Sequence, residues 1–241
     1  MSFSIRNVTE KGLPLICLKE EGTDTEVSIL PGYGASLLGF RVRLREGEGL
    51  FDLVDGYHSA EEVRQEMARS FKGPKLSPFP CRIDAGRYQF DNKEYRFGRL
   101  FGDGTAIHGL LYDKEFIASE ASADEASASV MLDHVYQKED AAYPWQYGCR
   151  VKYTLFPENL LQVSTTVTNL DSVPIPMADG WHPYFRLGGQ ADDWTLQFQA
   201  EALLEFNERL IPTGHLQPYT VFDQPRRIGD TFLDNCFALR Q

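Results

Sequence analysis

Histidine is the side chain whose ordinary pKa lets it give and take protons near neutrality, so the five histidines are the first candidates for chemistry. They stand at positions 58, 108, 134, 182 and 215. His58 precedes a helix-start signal, and His134 and His215 lie in strand or turn surroundings; all three read as surface residues. His108 and His182 keep different company. Ile107-His108-Gly109 sets a histidine beside a glycine, which allows a ligand or another backbone to come close. Gly180-Trp181-His182-Pro183-Tyr184-Phe185 packs three aromatics and a proline around the other. Each is a candidate proton-transfer group, and each is also consistent with a polar side chain satisfied inside a fold. Neither H-x-H nor H-E-x-x-H occurs, so spacing points to no metal.

The elements that must carry these residues alternate with period two, the mark of half-buried strands. Val27 and Ile29 share one face of a short strand stopped by Pro31-Gly32-Tyr33-Gly34, and Leu38, Phe40 and Val42 alternate after it. Tyr88 to Phe90 and Tyr95 to Phe97 flank Asp91 to Glu94. A turn centred on Asn92-Lys93 would pair Phe90 with Tyr95 and Tyr88 with Phe97. Val151 to Leu155 and Leu161 to Val167 flank Pro157-Glu158-Asn159 as a second hairpin, with Leu161, Val163 and Val167 facing one way. Thr195 to Gln199 also alternates, and Ala118 to Ser129 reads as strand, turn, strand. One segment differs. Ser59-Ala60-Glu61-Glu62 is a capping box opening a short helix over residues 60 to 69, with Val63 and Met67 on its apolar stripe. Lys72-Gly73-Pro74 ends it. Short strands joined by hairpins predict an all-β, mostly antiparallel sandwich with one short helix.

Composition removes several function classes. A formal charge of −11 repels phosphate backbones and argues against nucleic acid as a partner. Arg41, Arg43 and Arg45 share one strand face, where a solvated face is expected rather than a phosphate site. No run of about 18 apolar residues spans a membrane, and the N-terminus has no signal-peptide stretch. Cys17, Cys81, Cys149 and Cys236 form no C-x-x-C pair, which fits four free thiols in a reducing cytoplasm. With 241 residues and no linker, residues 1–241 read as one domain.

Six stretches carry a resemblance to the aldose 1-epimerase (galactose mutarotase) family. Gly180-Trp181-His182-Pro183-Tyr184-Phe185 resembles its histidine motif, and Ile107-His108-Gly109 its I-H-G motif. Pro80-Cys81-Arg82-Ile83 with Gly86-Arg87-Tyr88 is similar to P-N-R-I…G-x-Y, and Tyr143-Pro144-Trp145 with Tyr153-Thr154-Leu155 to Y-P-W…Y-T-L. Asn207-Glu208-Arg209-Leu210-Ile211-Pro212-Thr213-Gly214 resembles D-E-R-L-I-P-T-G, and Asp234 to Phe237 the late D-x-x-F motif. The resemblance implies a galactose mutarotase-like β-supersandwich with a sugar cleft. It also implies interconversion of the α and β anomers of an aldohexose, without metal or cofactor. A base takes the C1 hydroxyl proton, an acid protonates the ring oxygen, and the ring reopens and recloses. Carried over, His182 is the general acid, His108 hydrogen-bonds near the ring oxygen, Arg82 and Asp234 hold sugar hydroxyls, and Tyr184 lines the cleft.

Two departures stand out. Cys81 replaces the family's asparagine and cannot make the amide's hydrogen bonds. In the family, further strands follow the D-x-x-F motif and one carries the glutamate base; residues 235–241 contain no glutamate. The expectation is therefore a chain without the family's C-terminal strands or usual base. The alternative is a non-catalytic carbohydrate-binding domain that keeps the cleft. A purely structural β-sandwich needs none of His182, His108, Arg82 and Asp234. A phosphorylated-hexose epimerase ranks lower, because no second arginine cluster lies near the motifs. The sequence names neither the sugar nor the oligomeric state.

Overall fold

A computed structural model describes residues 2–240. Strands β1 (Phe3–Glu10), β2 (Leu13–Glu20), β3 (Glu26–Leu30), β4 (Ser36–Arg43) and β5 (Leu50–Asp52) form an antiparallel sheet in chain order. The strands Ile117–Ala123, Ala128–Gln137, Gln146–Phe156 and Leu160–Asn169 form a second antiparallel sheet, also in chain order. The two sheets bury their facing sides in one core. Leu18, Val27 and Ile29 come from the first, and Val130, Tyr147 and Tyr153 from the second. This is the mostly antiparallel β-sandwich that the alternation predicts.

The first sheet is covered on its other face too. Leu13, Leu15 and Cys17 of β2 pack there against Val63 and Met67 of the helix α1 (Ala60–Ser70). The Ser59 hydroxyl accepts from the Glu62 backbone N–H at 3.1 Å, a cap worth about 1 kcal/mol. Glu62 reaches back to the backbone N–H of His58 rather than to that of Ser59, at 2.7 Å. The helix stops at Phe71, which takes a left-handed conformation (φ 50°, ψ 41°) while its N–H still bonds the Met67 carbonyl.

The structure corrects two register expectations. The hairpin Arg87–Phe90/Lys93–Arg96 pairs Tyr88 with Tyr95 and Phe90 with Lys93, not Phe90 with Tyr95. Asp91 and Asn92 both adopt positive φ, giving a two-residue turn whose twist suits the strands. Tyr88 still stacks on both Tyr95 and Phe97. In β4 the residues Leu38, Phe40 and Val42 do not share one face. Ser28 pairs with Gly39 but Ile29 with Leu37, so Leu38 is the extra residue of a bulge. Leu38 joins the helix-side cluster, while Phe40 packs on the core between the sheets.

Other local expectations correspond to observed elements. The Pro157-Glu158-Asn159 hairpin has Leu161, Val163 and Val167 packed against the core and Gln162, Ser164, Thr166 and Thr168 exposed. Arg41 pairs with Glu26, Arg43 with Asp24 and Arg45 with Glu48, so this arginine row is a solvated, neutralised face. The Thr195–Gln199 alternation yields only a two-residue strand, Thr195–Leu196. A small third sheet places Ala200–Phe206 between Pro212–Pro218 and Cys236–Leu239, the last beginning just after Asp234. Among the described residues no helix is long and apolar enough to cross a membrane.

Candidate active site

Short antiparallel pairings bring the motif residues together. Gly180 pairs with Leu76 and Trp181 with Lys75, so the histidine motif runs beside the segment leaving α1. The Gly73 N–H donates to the His182 carbonyl at 2.8 Å, and the Trp181 indole N–H donates to the Gly73 carbonyl at 3.0 Å. The Asp55 N–H donates to the Tyr184 carbonyl, which ties down the other end of the motif. A second pairing sets Ile107 opposite Arg82 and Ala106 opposite Ile83, placing Arg82 next to the I-H-G segment. Gly109 has φ +77°, and a Cβ there would lie 2.3 Å from the Ser77 carbonyl oxygen, so no other residue fits without movement. The close approach expected beside His108 is therefore to the Ser77 backbone.

The two histidine rings meet. Their centroids lie 5.1 Å apart at an interplanar angle of 69°. Tyr184 lies 5.4 Å from His182 on its far side. Beneath both histidines is Phe71, 4.6 Å from His108 and 6.5 Å from His182, and itself edge-on to Tyr112 at 4.9 Å. Sequence reasoning missed Phe71, because nothing local to it marks an aromatic helix cap as the floor of a site. It also missed Lys72, whose Nζ lies 2.8 Å from Asp55 and 5.9 Å from the Tyr184 ring centroid.

The two imidazoles differ electrostatically. The Cys81 backbone N–H donates to His108 Nδ1 at 3.1 Å, and the Cys81 carbonyl accepts from the His108 N–H at 3.0 Å. Backbone groups thus hold the Cys81–His108 contact whatever side chain stands at 81. Burial first, then the neighbouring His182 and Arg82, push the His108 pKa down to about 4. With Nδ1 an acceptor in a neutral ring, Nε2 carries the proton, and His108 is a hydrogen-bond donor near neutrality. Burial lowers His182 as well; its own backbone first, and then the Asp234 carboxylate, oppose the shift. His182 Nδ1 is buried with no hydrogen-bond partner among the described residues.

Arg82 and Asp234 sit less deeply. The Arg82 Nε donates to Asp103 Oδ2 at 3.3 Å, with both side chains partly exposed. Asp103 also accepts from the hydroxyl and N–H of Thr105. Arg209, from the Asn207–Gly214 motif, reaches back to this loop. It bonds the Asp103 carbonyl at 3.3 Å and Asp84 at 2.9 Å. That motif was legible, but its destination was not. Asp234 is exposed, and its charge acts on His182, Tyr184 and Cys81. The largest of the cavities described, about 410 Å³, lies elsewhere, beside Trp181, Tyr153 and the buried Lys75, which pairs with the exposed Asp179. Neither histidine lines it. Among the described residues no cluster of three or more His, Cys, Asp or Glu could hold a metal ion.

The chain is similar to known proteins along most of its length. It is 28% identical over 198 residues to YihR of Escherichia coli K12, covering 79% of this chain and 63% of that protein. It is 26% identical to human galactose mutarotase, covering 84% and 59% respectively. The chain thus spans about three fifths of the length of these relatives. The crystal structure of a galactose mutarotase-like protein from Clostridium acetobutylicum superposes with a TM-score of 0.77 at 20% identity, covering 91% of this chain and 66% of that one. Galactose 1-epimerase from Lactobacillus acidophilus gives 0.74 at 24% identity, covering 95% and 67%. At these identities the likeness of the structures is one of fold. The family profile of aldose 1-epimerase matches residues 14–241, and this chain belongs to that family.

Proposed function

We propose that this chain is an aldose 1-epimerase-type isomerase that binds an aldohexose and interconverts its α and β anomers, with His182 as the general acid. The observation that carries the reading is the contact between the His108 and His182 rings at 5.1 Å. Burial lowers both imidazoles, and the hydrogen bond from the Cys81 N–H fixes His108 as the donor through Nε2. His108, held neutral, donates through Nε2 to the ring oxygen region and orients the sugar. His182, within the field of Asp234, gives its proton to the ring oxygen as the C1–ring oxygen bond breaks. The C1 hydroxyl gives up its proton to water at the same time, leaving the open-chain aldehyde. Rotation about the C1–C2 bond and the reverse transfers close the other anomer. Arg82 and Asp234 bind sugar hydroxyls in this reading, and the Tyr184 ring lines the sugar's apolar face.

Residues 1–241 are read as one domain of the family. The proposed setting is the cytoplasm, in keeping with four free thiols. No cofactor enters the scheme. Polarimetry on freshly dissolved α-glucose or α-galactose tests the reading, with His182→Ala as the control. Loss of the rate above the water background in that variant supports it. Sugar binding that persists with no rate in either protein would instead favour a carbohydrate-binding domain, the reading that the partly exposed Arg82 and Asp234 also fit.

A further inference from the structure

The ion pair of Lys72 and Asp55 has no part in the proton transfers, yet it stands at one end of the histidine face. Burial lowers the His108 pKa, and His182 and Arg82 are the charges that act on it. Burial raises that of Tyr184, where Lys72, Asp55 and Asp234 are the charges that act. The order along the face is therefore Arg82, His108, His182, Tyr184, Lys72. Lys72 Nζ lies 5.9 Å from the Tyr184 ring centroid, and that ring lies 5.4 Å from His182. A pyranose with a hydrogen bond at each end covers two such steps.

Backbone bonds already hold this corner. The Lys72 N–H donates to the buried Tyr57 hydroxyl at 2.9 Å, and the Gly73 and Asp55 N–H groups donate to the His182 and Tyr184 carbonyls. The side-chain pair is not needed to close it, and its polar atoms are not used up. Asp55 Oδ2 accepts from Lys72 Nζ at 2.8 Å, which leaves two ammonium N–H groups without an acceptor among the described residues. Asp55 Oδ1 is 4.0 Å from His58 Nε2, too far for a hydrogen bond. The Lys72 and Asp55 side chains are 18% and 38% exposed, so a ligand can meet both. A donor and an acceptor thus stand side by side at the edge of an aromatic ring. That pattern matches a vicinal diol, one hydroxyl accepting from the ammonium and its neighbour donating to the carboxylate. An anionic substituent fits worse, because Asp55 already neutralises the ammonium and would repel it.

We propose that Lys72 and Asp55 form a substrate-binding clamp that holds the vicinal 3- and 4-hydroxyls of a neutral hexopyranose. These hydroxyls lie across the ring from C1 and the ring oxygen, so a sugar whose ring oxygen faces His182 points them past Tyr184 toward the pair. The placement of the sugar rests on the isomerase reading. Lys72 binds in this arrangement and moves no proton.

The test is calorimetric titration of the full chain with methyl β-galactopyranoside, whose locked anomer rules out turnover, and with its 3-deoxy, 4-deoxy and 6-deoxy analogues. The wild type should bind the 3-deoxy and 4-deoxy glycosides roughly tenfold more weakly than the parent, the loss of one hydrogen bond to a charged group, and the 6-deoxy glycoside about as well. Lys72→Met should erase the penalty at one of the two positions, and Lys72→Arg should restore it. Asp55→Ala should erase it at the other, which keeps the test decisive if either variant fails to fold. In polarimetry on α-galactose, Lys72→Met should raise KM and leave kcat near that of the wild type. A fall in kcat with KM unchanged would overturn the binding role, and tighter binding of the 4-sulfated glycoside would overturn the choice of a neutral ligand. Glycosides that do not bind at all would overturn the clamp. Penalties retained in both variants, in a chain whose rate His182→Ala abolishes, would overturn the clamp and leave the isomerase reading standing. Penalties erased as expected in a chain with no rate above the water background would support the clamp and count against that reading.

Discussion

The Phe71 ring meets His108 edge-on at 4.6 Å from a backbone that is left-handed, at φ 50°. The residue that ends α1 is thus also the floor under the histidine pair, and its side chain and its backbone pull in different directions. A glycine would suit the conformation, while the ring fills the cluster. Removing a buried Phe ring typically costs about 3–5 kcal/mol. Phe71→Gly and Phe71→Ala should both be strongly destabilised in urea, with the glycine variant the more stable of the two by roughly 1 kcal/mol. An alanine variant as stable as the glycine variant would show that the left-handed cap carries no strain.

Stability should fall in acid through His108. Its folded pKa is about 4 against an ordinary 6.5. Between these values the unfolded chain binds a proton that the folded chain does not, so folding weakens as pH drops through 6.5 and the loss levels off near 4. The full difference amounts to about 3 kcal/mol. His108→Asn keeps a side-chain acceptor for the Cys81 N–H and tolerates positive φ. The stability gap between wild type and this variant should therefore shrink as pH falls from 7 to 4, measured by urea midpoints. A gap that stays constant over that range would mean that His108 titrates normally.

How far the sequence foretold this arrangement depends on the range of each interaction. The helix with its Ser59 cap and its Val63 and Met67 stripe was legible because neighbours four residues apart decide it. The Glu158-Asn159 hairpin was legible for the same reason. The Tyr88 hairpin was misregistered because Asp91 and Asn92, not Asn92 and Lys93, take positive φ. The Leu38 bulge leaves no mark in the alternation. At the site, aromatic and glycine neighbours singled out His182 and His108 as individuals. Their contact rests on the pairing of Gly180 with Leu76 and of Ile107 with Arg82, which no local pattern encodes. The roles of Phe71 beneath the histidines and of Arg209 against Asp103 are products of those pairings.

Arg82 separates a structural role from a binding one. Its pair with Asp103 is partly exposed on both sides, and such pairs contribute at most about 1 kcal/mol. Arg82→Ala should cost less than that in urea, and Asp103→Ala more, because it also strips the buried Thr105 hydroxyl and N–H of their acceptor. If Arg82 holds a sugar hydroxyl, Arg82→Ala should nonetheless weaken sugar binding about tenfold or more, the cost of losing a charged hydrogen bond. Asp103→Ala, which frees the guanidinium, should weaken it less. Several kcal/mol lost from folding with binding unchanged would make Arg82 a purely structural residue.

The 241-residue chain is expected to be a weak mutarotase whose rate falls as pH rises. The acid role needs a protonated His182, and burial holds its pKa below the ordinary histidine value, while Asp234 raises it part of the way back. In the free protein the alkaline limb of kcat/KM should therefore lie below pH 6.5, and activity should decline above it. Asp234→Asn removes the opposing charge, so that limb should move further toward acid as well as weakening sugar binding. A purely binding role for Asp234 would lower activity without moving the limb. The base side sets the ceiling. If none of the 241 residues serves as the base, the C1 proton passes to water. A positioned acid or base is typically worth about 10²–10⁴-fold. Polarimetry on α-galactose should then show a small excess over the water rate, lost in His182→Ala. A version carrying any native residues that follow Gln241 should raise the rate by a factor in that range if they supply a base. Strong catalysis by the 241 residues alone, abolished by His182→Ala, would refute the expectation and place the base among the residues already in hand, with Asp234 the first to replace.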